Sequence, residues 1–401
     1  MSVISDFVAV SGPADTQRSV MCAGMFSSGS TWAFNVVVQL LCRAHPSSRV
    51  VPVCADDFGV EQEAVTINAD WLVFKTHMPS AAMRMLSRLG RFPIILSIRD
   101  PRDAVASLMQ RFSIPFDRAF EMVVACSSAL IRLTDLPHIL LRYEDGFTET
   151  EKSIADIAQY LGMQLPIEQE GGVFAALTPS AVRATIADLQ ARDAIVGVEP
   201  ANAFDPETLW HPGHVGDRRI GKWKELLTAA QAARVRYASK DFCSAFGYAD
   251  PSVQLPAGES VHFSTEGTGV NYLVSGFSHQ EAWGIWTAGD CAVVRLKLQE
   301  LVHDSLTIEL LCGLAPAFRR RASNTCARIL INGATILRVA ADDHNPEHLL
   351  MCLRLTGSEV GGSDSIEIRL EFDNLMSPAE LAQSSDSRLL GLGLVRLRIS
   401  E

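Results

Sequence analysis

The residues best suited to chemistry follow short apolar runs, at points where a strand would end. Lys75 and His77 come directly after the run 71–74, and Arg99 follows the run 92–98. In open α/β sheets, ligands bind outside the carboxyl ends of the strands. Lys75 and His77 are two residues apart, so on an extended chain their side chains point the same way. A lysine, a histidine and an arginine at one sheet edge could bind an anion and move a proton.

Each of these three residues also has a purely structural interpretation. Lys75 would be a solvated lysine at a strand end, and His77 would be a histidine satisfied by its neighbours. Arg99 would form a salt bridge to a nearby carboxylate. The three residues by themselves leave both interpretations open.

An anion site is predicted between the first strand and the first helix. The chain passes from an apolar run through the loop 27–30, S-S-G-S, into Thr31–Cys42, which contains no helix breaker. The first N–H groups of such a helix lack partners and carry the positive end of the helix dipole, so a phosphate fits there. The spacing G-x-x-x-x-G-S-T from Gly24 resembles a nucleotide-triphosphate loop, but Ser30 replaces its lysine, which argues against an ordinary ATPase or kinase. A strand-to-helix turn packed with small residues is the alternative.

Strands and helices alternate through the first 246 residues, which predicts a parallel sheet flanked by helices on both faces. Asp100 followed by Pro101 predicts a helix N-terminus directly after Arg99. The further strands and helices are predicted at 50–54, 116–133, 138–142, 149–161 and 223–246, the last helix ending the first domain.

The composition narrows the class of protein. A chain of 401 residues predicts two domains. A net charge of −11 argues against a general nucleic-acid-binding surface. The nine cysteines include no C-x-x-C pair, which argues against a disulfide framework or a zinc site. No apolar run approaches the ~18 residues that span a bilayer, and no secretory signal is visible, so we expect a cytoplasmic protein without a metal.

Four motifs together resemble the sulfotransferases that use 3′-phosphoadenosine-5′-phosphosulfate (PAPS). Phe26–Trp32 is similar to the family's P-K-S-G-T-T-W, and Lys75–Pro79 is similar to K-T-H-L-P. Arg99–Asp103 with Ser107 matches R-[ND]-P-[KR]-D-x-x-x-S, and Gly216–Lys224 resembles the late R-K-G-x-x-G-x-W-K segment. The resemblance covers roughly residues 18–246.

The resemblance implies a role for each matching residue. The 5′-phosphosulfate would be held by Ser27, Ser28, Gly29, Ser30, Thr31 and Trp32, and the 3′-phosphate by Arg99 and Ser107, while His77 would be the catalytic base and Lys75 would assist at the transferring group.

Two departures from the family pattern stand out. The family's loop lysine aligns with Ser27, so the cation that the loop normally supplies is missing, and Lys75 becomes the main cation expected at the reacting centre. In the last motif Gly216 takes the place of the arginine, so Arg218 or Arg219 must substitute for it.

The last third of the chain has the period of strands. Short alternating runs such as 292–298 and 365–372, and an Asn332-Gly333 turn typical of a hairpin, predict a β-sandwich. The segment 276–286 resembles a motif of β-sandwich modules in some bacterial glycan-processing enzymes. Its Trp283 and Trp286 could stack on a sugar or belong to the core.

The sequence therefore predicts a tail 1–17, a sulfotransferase domain 18–250, a linker 251–259 and a β-sandwich 260–401. The expected function is sulfuryl transfer from PAPS to a hydroxyl or amine, with a carbohydrate or glycosylated small molecule as acceptor. The alternative is a catalytically degenerate nucleotide-binding domain with a glycan-recognition sandwich. The oligomeric state, a homo-oligomer included, stays open.

Overall fold

The structure is a computed structural model that describes residues 18–55, 67–90, 92–197, 203–248, 253–255, 258–298, 305–356 and 364–400. The predicted tail 1–17, the acidic loop around Asp56, Asp57 and Glu61, and parts of the linker 251–259 lie outside these residues. Contacts divide the chain into a first unit, Met1–Leu226 with Ser239–Tyr248, and a second unit, Leu227–Ala238 with Ala249–Glu401. The domain limits 18–250 and 260–401 stay predictions.

The first unit is built on a five-stranded sheet in the order β2-β3-β1-β4-β5, in which all neighbours are parallel. The central strands β1, β3 and β4 are almost wholly buried apolar runs, as expected for a sheet covered on both faces. The predicted α/β fold is confirmed. The strands are β1 Arg18–Gly24, β2 Val50–Cys54, β3 Trp71–Thr76, β4 Ile94–Ile98 and β5 His138–Arg142.

Helices flank this sheet, and the helix after β4 begins as the sequence predicts. Asp100 caps the third helix by accepting a hydrogen bond from the Arg102 backbone N–H, and Pro101 occupies the first turn. The helices of this unit are α1 Ser30–Ala44, α2 Ala81–Arg88, α3 Pro101–Phe112, α4 Phe116–Leu130, α5 Lys152–Tyr160, α6 Ile167–Ala176, α7 Pro179–Ala191, α8 Trp223–Leu226 and α10 Lys240–Phe246, whereas α9 Ala229–Ala238 belongs to the second unit.

The prediction of one helix over 223–246 is wrong, because the structure has three short helices there. Thr228 and Gln231 form a reciprocal capping box that starts α9. The Thr228 N–H donates to Gln231 Oε1 at 3.0 Å, and the Gln231 N–H donates to Thr228 Oγ1 at 3.1 Å. The pattern T-x-x-Q at 228–231 therefore marks the start of a new helix within the segment that was predicted as one helix.

The second unit contains two six-stranded sheets, and the prediction of an all-β C-terminal region is confirmed. One sheet has the order β15-β12-β17-β10-β9 with β7 on β17, and the other has the order β14-β13-β16-β11-β6 with β8 on β11. Buried residues of both sheets form a single apolar cluster, which includes Ile308 and Leu310 from one sheet and Ile366 and Ile368 from the other. The strands are β6 Gln254–Leu255, β7 Ser260–His262, β8 Leu273–Ser275, β9 Phe277–Gln280, β10 Ile285–Ala288, β11 Cys291–Leu298, β12 Ser305–Leu314, β13 Cys326–Ile331, β14 Ala334–Ala340, β15 His348–Thr356, β16 Ser365–Asp373 and β17 Leu390–Ser400.

Two local predictions in this unit can be compared with the structure. Asn332 and Gly333 join β13 to β14 with φ values of 48° and 88°, as the predicted hairpin turn requires. Trp283 and Trp286 are half-buried and pack edge to face at 5.0 Å between ring centroids. Trp286 packs against the core, and the Trp283 ring lies so close to Gly393 that a Cβ there would come within 2.5 Å of it. Both rings are therefore used at least partly in packing.

Candidate functional site

The carboxyl ends of β1, β3 and β4 bring the predicted site residues to one edge of the sheet. Ala23 of β1 lies beside Thr76 of β3, and Gly24 lies beside Ser97 of β4. The side chains that follow these positions must meet there, since parallel strands end at the same edge.

The loop between β1 and α1 has the conformation of an anion cradle. Ser27 and Gly29 have φ values of 57° and 80°, and Gly29 occupies the N-cap of α1 without any side-chain cap. The N-terminal N–H groups of the helix are therefore left to a ligand or to water. A Cβ at Gly29 would come within 2.9 Å of Phe147 Cζ, so the loop also needs glycine for space.

Ser28, Ser30 and Thr31 are buried rather than directed at open space. The Ser28 hydroxyl donates to the Met25 carbonyl at 2.6 Å and lies 2.9 Å from Ser97 Oγ. The Trp32 indole N–H donates to the Leu177 carbonyl at 3.2 Å. Of the predicted loop residues, the cavity described below is lined by Ser27, Gly29 and Trp32.

Lys75 and His77 form a pair at the end of β3. His77 Nδ1 lies 2.6 Å from the Gly24 carbonyl oxygen, and His77 Nε2 lies 3.0 Å from Lys75 Nζ. Since a carbonyl only accepts, Nδ1 carries the proton and Nε2 presents its lone pair to the lysine. Lys75 is 7% exposed, which excludes a solvated strand-end lysine. Phe26 stacks on the His77 ring at 4.0 Å and fixes its plane.

Arg99 is buried between the loop and the glycine-rich segment 216–224. Its Nη1 donates to the Ser27 carbonyl at 3.0 Å and its Nη2 donates to the Arg219 carbonyl at 2.7 Å. The predicted ion-pair alternative is also present, because Asp103 Oδ2 lies 3.7 Å from Nη2. The same Asp103 accepts from the N–H groups of Gly221 at 2.6 Å and Trp223 at 3.0 Å. Asp103 thereby holds the glycine-rich segment beside Arg99.

The two candidate arginines of that segment are placed differently. Arg218 lines the cavity and donates to Thr148 Oγ1 at 3.0 Å and Glu149 Oε1 at 2.5 Å. The Arg219 side chain is half exposed and ion-paired with Asp217 and Glu225, and it is not part of the cavity lining. Lys222, which the sequence analysis did not single out, lines the cavity and is paired with Asp217 at 3.2 Å.

A cavity of about 380 Å³ is lined by Arg99, Arg218 and Lys222 together with the loop before α1, whereas Lys75 and His77 are not among its lining residues. Four of its lining residues have a buried polar atom without a hydrogen-bond partner within the described part of the chain: Ser27 Oγ, Arg99 Nε, Arg111 Nε and His214 Nδ1. Buried polar groups normally have partners, so orphaned atoms around one cavity indicate a polar ligand. Ser107, one helical turn before Arg111 on α3, also lines the cavity.

Sequence reasoning missed a cluster of Arg111, His211 and His214. His211 Nδ1 donates to the Pro212 carbonyl at 2.9 Å, and its Nε2 accepts from Arg111 Nη2. The two histidine rings are 4.4 Å apart, and Trp210 lies edge-on to His214 at 4.5 Å. Burial lowers the pKa of His211 to about 3 and holds the pKa of His214 well below its usual range, so both are neutral.

Residues 17–183 match the family model described as the sulfotransferase domain. This part of the chain is similar to sulfotransferase domains. The match contains three of the four predicted motifs, whereas the glycine-rich segment 216–224 lies beyond it. None of the curated proteins compared with the chain matches it.

Parts of the chain are similar to solved structures at low identity. A mouse sulfotransferase, SULT7A1, complexed with PAP has 13% identity and a TM-score of 0.41, with 57% of this chain and 84% of that chain covered. Retinol dehydratase in complex with androsterone and the inactive cofactor PAP has 17% identity and a TM-score of 0.41, with 60% and 84% covered. A family 35 carbohydrate-binding module from an environmental isolate has 13% identity and a TM-score of 0.19, with 32% and 76% covered.

Among the described residues, no group of three or more His, Cys, Asp or Glu side chains could hold a metal ion. Within the same ranges, no helix is long and apolar enough to cross a membrane.

Proposed function

We propose that the protein transfers a sulfuryl group from PAPS to an acceptor hydroxyl or amine, with His77 as the base. The observation that carries this proposal is the cavity at the end of the parallel sheet. Its wall includes an uncapped helix N-terminus and two buried polar atoms, Ser27 Oγ and Arg99 Nε, that have no hydrogen-bond partner among the described residues. A ligand with phosphate groups satisfies all three features.

The residues around the cavity suit the two ends of PAPS. The N–H groups at the start of α1, with Ser27 and Trp32, would hold the 5′-phosphosulfate. Arg99, Ser107 and Arg218 would hold the 3′-phosphate, and Arg218 would take the part of the arginine that Gly216 replaces. Bound there, PAPS would supply the sulfuryl group.

His77 is suited to take the proton of the acceptor. The Gly24 carbonyl holds the Nδ1–H tautomer, so the Nε2 lone pair is available once Lys75 turns from it toward anionic oxygen. As the proton moves to Nε2, the acceptor oxygen forms its bond to sulfur. The sulfuryl group would come from bound PAPS, with 3′-phosphoadenosine-5′-phosphate (PAP) as the leaving group. The Lys75 ammonium would offset the charge that builds up on the oxygens of the transferring group.

The acceptor is proposed from the sequence resemblance as a carbohydrate or a glycosylated small molecule, and the site of action as the cytoplasm. A glycan array with the whole chain and transfer assays on the sugars that bind would test the acceptor class. Binding without transfer would instead favour the degenerate, recognition-only alternative, for which the serine at position 27 is the supporting feature.

Transfer of labelled sulfate from PAPS to a panel of hydroxyl acceptors tests the reaction. We expect the wild-type protein to label at least one acceptor and His77→Ala to lose about 10²-fold or more in kcat, the usual scale of a lost general base. His138→Ala, which changes a histidine at the start of β5, is the control and should keep the wild-type rate. Normal turnover by His77→Ala would contradict the assignment.

A further inference from the structure

Arg111 differs from the other cations that line the cavity. Arg99 lies 3.7 Å from Asp103, Arg218 lies 2.5 Å from Glu149 and Lys222 lies 3.2 Å from Asp217. The contacts of Arg111 are the His211 ring and the Phe112 ring, and no carboxylate among the described residues pairs with it. Its Nε–H is buried and has no acceptor within the part of the chain that the structure describes.

The described residues in contact with Arg111 carry no negative charge, and the one carboxylate among the lining residues of the cavity, that of Asp217, is paired with Lys222. His211 accepts one guanidinium hydrogen but is neutral, because its pKa lies at about 3. Burial lowers the pKa of Arg111 to about 10, which still leaves the guanidinium charged at neutral pH. A buried cation with only neutral partners and a free donor is costly unless an anion from outside the chain completes the site.

Arg111 lies next to, but one helical turn beyond, the nearest residue assigned to the 3′-phosphate. It lies four residues beyond Ser107 on α3, so the two side chains share a face and Arg111 is one turn farther along the helix. Its partner His211 is within electrostatic range of Lys75. Burial chiefly lowers the pKa of His214, and the charges of Arg111, His211, Lys75 and His77 lower it further. Lys75 and His77 are therefore within electrostatic range of this cluster, and the acceptor would present its hydroxyl to His77.

We infer that Arg111, oriented by His211, binds an anionic group of the acceptor, so that the preferred acceptors are hydroxyl compounds carrying a carboxylate, phosphate or sulfate. This inference rests on the proposed function and adds a substrate class to it. The guanidinium would bind the acid group through Nε and one Nη, which is the bidentate geometry that carboxylates and phosphates accept. The neutral imidazole of His211 accepts one hydrogen of Nη2 and fixes the plane of the guanidinium, while the second Nη2 hydrogen lies on the same edge as Nε–H and stays available to the acid group.

Paired probes that differ by one charge test this inference. The pairs are 4-hydroxyphenylacetate with 4-hydroxyphenylacetamide, and methyl glucuronide with methyl glucoside. Binding to the full-length protein loaded with PAP is measured by calorimetry, and transfer is measured with labelled PAPS. We expect the acidic member of at least one pair to bind about 10-fold or more tightly than the neutral one, as a charged hydrogen-bonded pair implies.

Three variants connect that preference to Arg111. Arg111→Gln should abolish it while the Kd of PAP stays within about 3-fold, and Arg111→Lys should keep part of it because the charge remains. Arg118→Gln changes an exposed arginine that is paired with the exposed Glu121, so it should behave as wild type. Thermal unfolding of each variant without ligand checks that it is folded.

The outcomes are distinguishable. Equal binding of both members of every pair, or a preference that survives in Arg111→Gln, overturns the inference. A loss of PAPS affinity without a loss of PAP affinity in Arg111→Gln also overturns it, since the guanidinium would then serve the sulfuryl group of the donor. A wild-type protein that does not bind PAP would instead contradict the proposed function.

Discussion

At the scale of single residues, the site depends on which atom of His77 carries a proton. The backbone carbonyl of Gly24 accepts from Nδ1 at 2.6 Å, and this contact leaves Nε2 as the basic atom. The proposed base is thereby oriented by the end of the neighbouring strand β1. The Lys75 ammonium lies 3.0 Å from this Nε2 atom. It could therefore contact either the histidine or an anionic oxygen of a bound ligand.

Replacing Lys75 tests whether it is the main cation at the reacting centre. Because Ser27 stands where the family has its loop lysine, Lys75→Ala should lower kcat by about 10²-fold or more, the scale of one lost charge-stabilising donor. Steady-state kinetics with PAPS and a working acceptor measure it. Lys152→Ala is the control, since Lys152 is exposed and paired with Asp156. A Lys75→Ala rate within a few-fold of wild type would refute this role.

At the scale of secondary-structure elements, the proposed anion site lies at the N-terminus of α1. Gly29 combines a φ of 80° with a close neighbour, since a Cβ would lie 2.9 Å from Phe147 Cζ and 3.1 Å from Thr148 Cγ2. The backbone and the packing therefore both require glycine at this N-cap.

Gly29→Ala should lower the free energy of unfolding by about 1 to 3 kcal/mol, because it adds a clash to a left-handed backbone conformation. Urea unfolding measures this loss, and the same variant should weaken PAP binding. Gly146→Ala is the matched control, since Gly146 has a φ of 68° but nothing within 4 Å of a Cβ. Equal losses in the two variants would mean that the contact with Phe147 has no effect.

The loop 210–216 should make stability depend on pH. The folded-state pKa of His211 lies near 3 and that of His214 well below 6.5, so the unfolded chain binds more protons than the folded one at mildly acidic pH. Their contribution to stability is complete above about pH 6.5 and is lost as the pH falls toward the folded-state pKa values. Arg111, Lys75 and His77 are the charged or titratable groups that act on them.

Urea unfolding at pH 7.5 and 5.5 tests this dependence. The free energy of unfolding should fall between these pH values in the wild-type protein, and it should fall less in a variant with both His211→Gln and His214→Gln. Equal pH dependence in the two proteins would show that these histidines are not held neutral.

Most of the residues at the carboxyl edge of the parallel sheet could be predicted from the sequence, because short stretches of neighbouring residues identify them. Apolar runs ending at Lys75 and Arg99, and a small-residue loop before α1, define where strands end and a helix starts. The cluster of Arg111 and His211 could not be predicted in this way, because 100 residues separate its members and their contact depends on the packing of the loop against α3. The break before α9 was signalled by Thr228 and Gln231, but the helical period around them concealed it.

At the scale of the whole molecule, the chain is acidic, but several of its arginine and lysine side chains lie around one cavity. The net charge is −11, yet Arg99, Arg111, Arg218 and Lys222 all line the same space. Local charge against the global trend is expected where an anionic ligand binds. The second unit has its own hydrophobic core between its two sheets, and Ala233 of α9 belongs to this core.

The most direct test of the central claim, that this cavity binds a 3′,5′-phosphorylated adenosine, is thermal unfolding of the full-length protein with and without PAP. At 100 times its Kd, PAP should stabilise the native state by about 2.7 kcal/mol, and the melting temperature should rise visibly. The rise should disappear in Arg99→Ala and shrink in Ser107→Ala. It should persist in Arg295→Ala, which changes an exposed arginine of β11. No rise at millimolar PAP, or an equal rise in Arg99→Ala, would contradict the account.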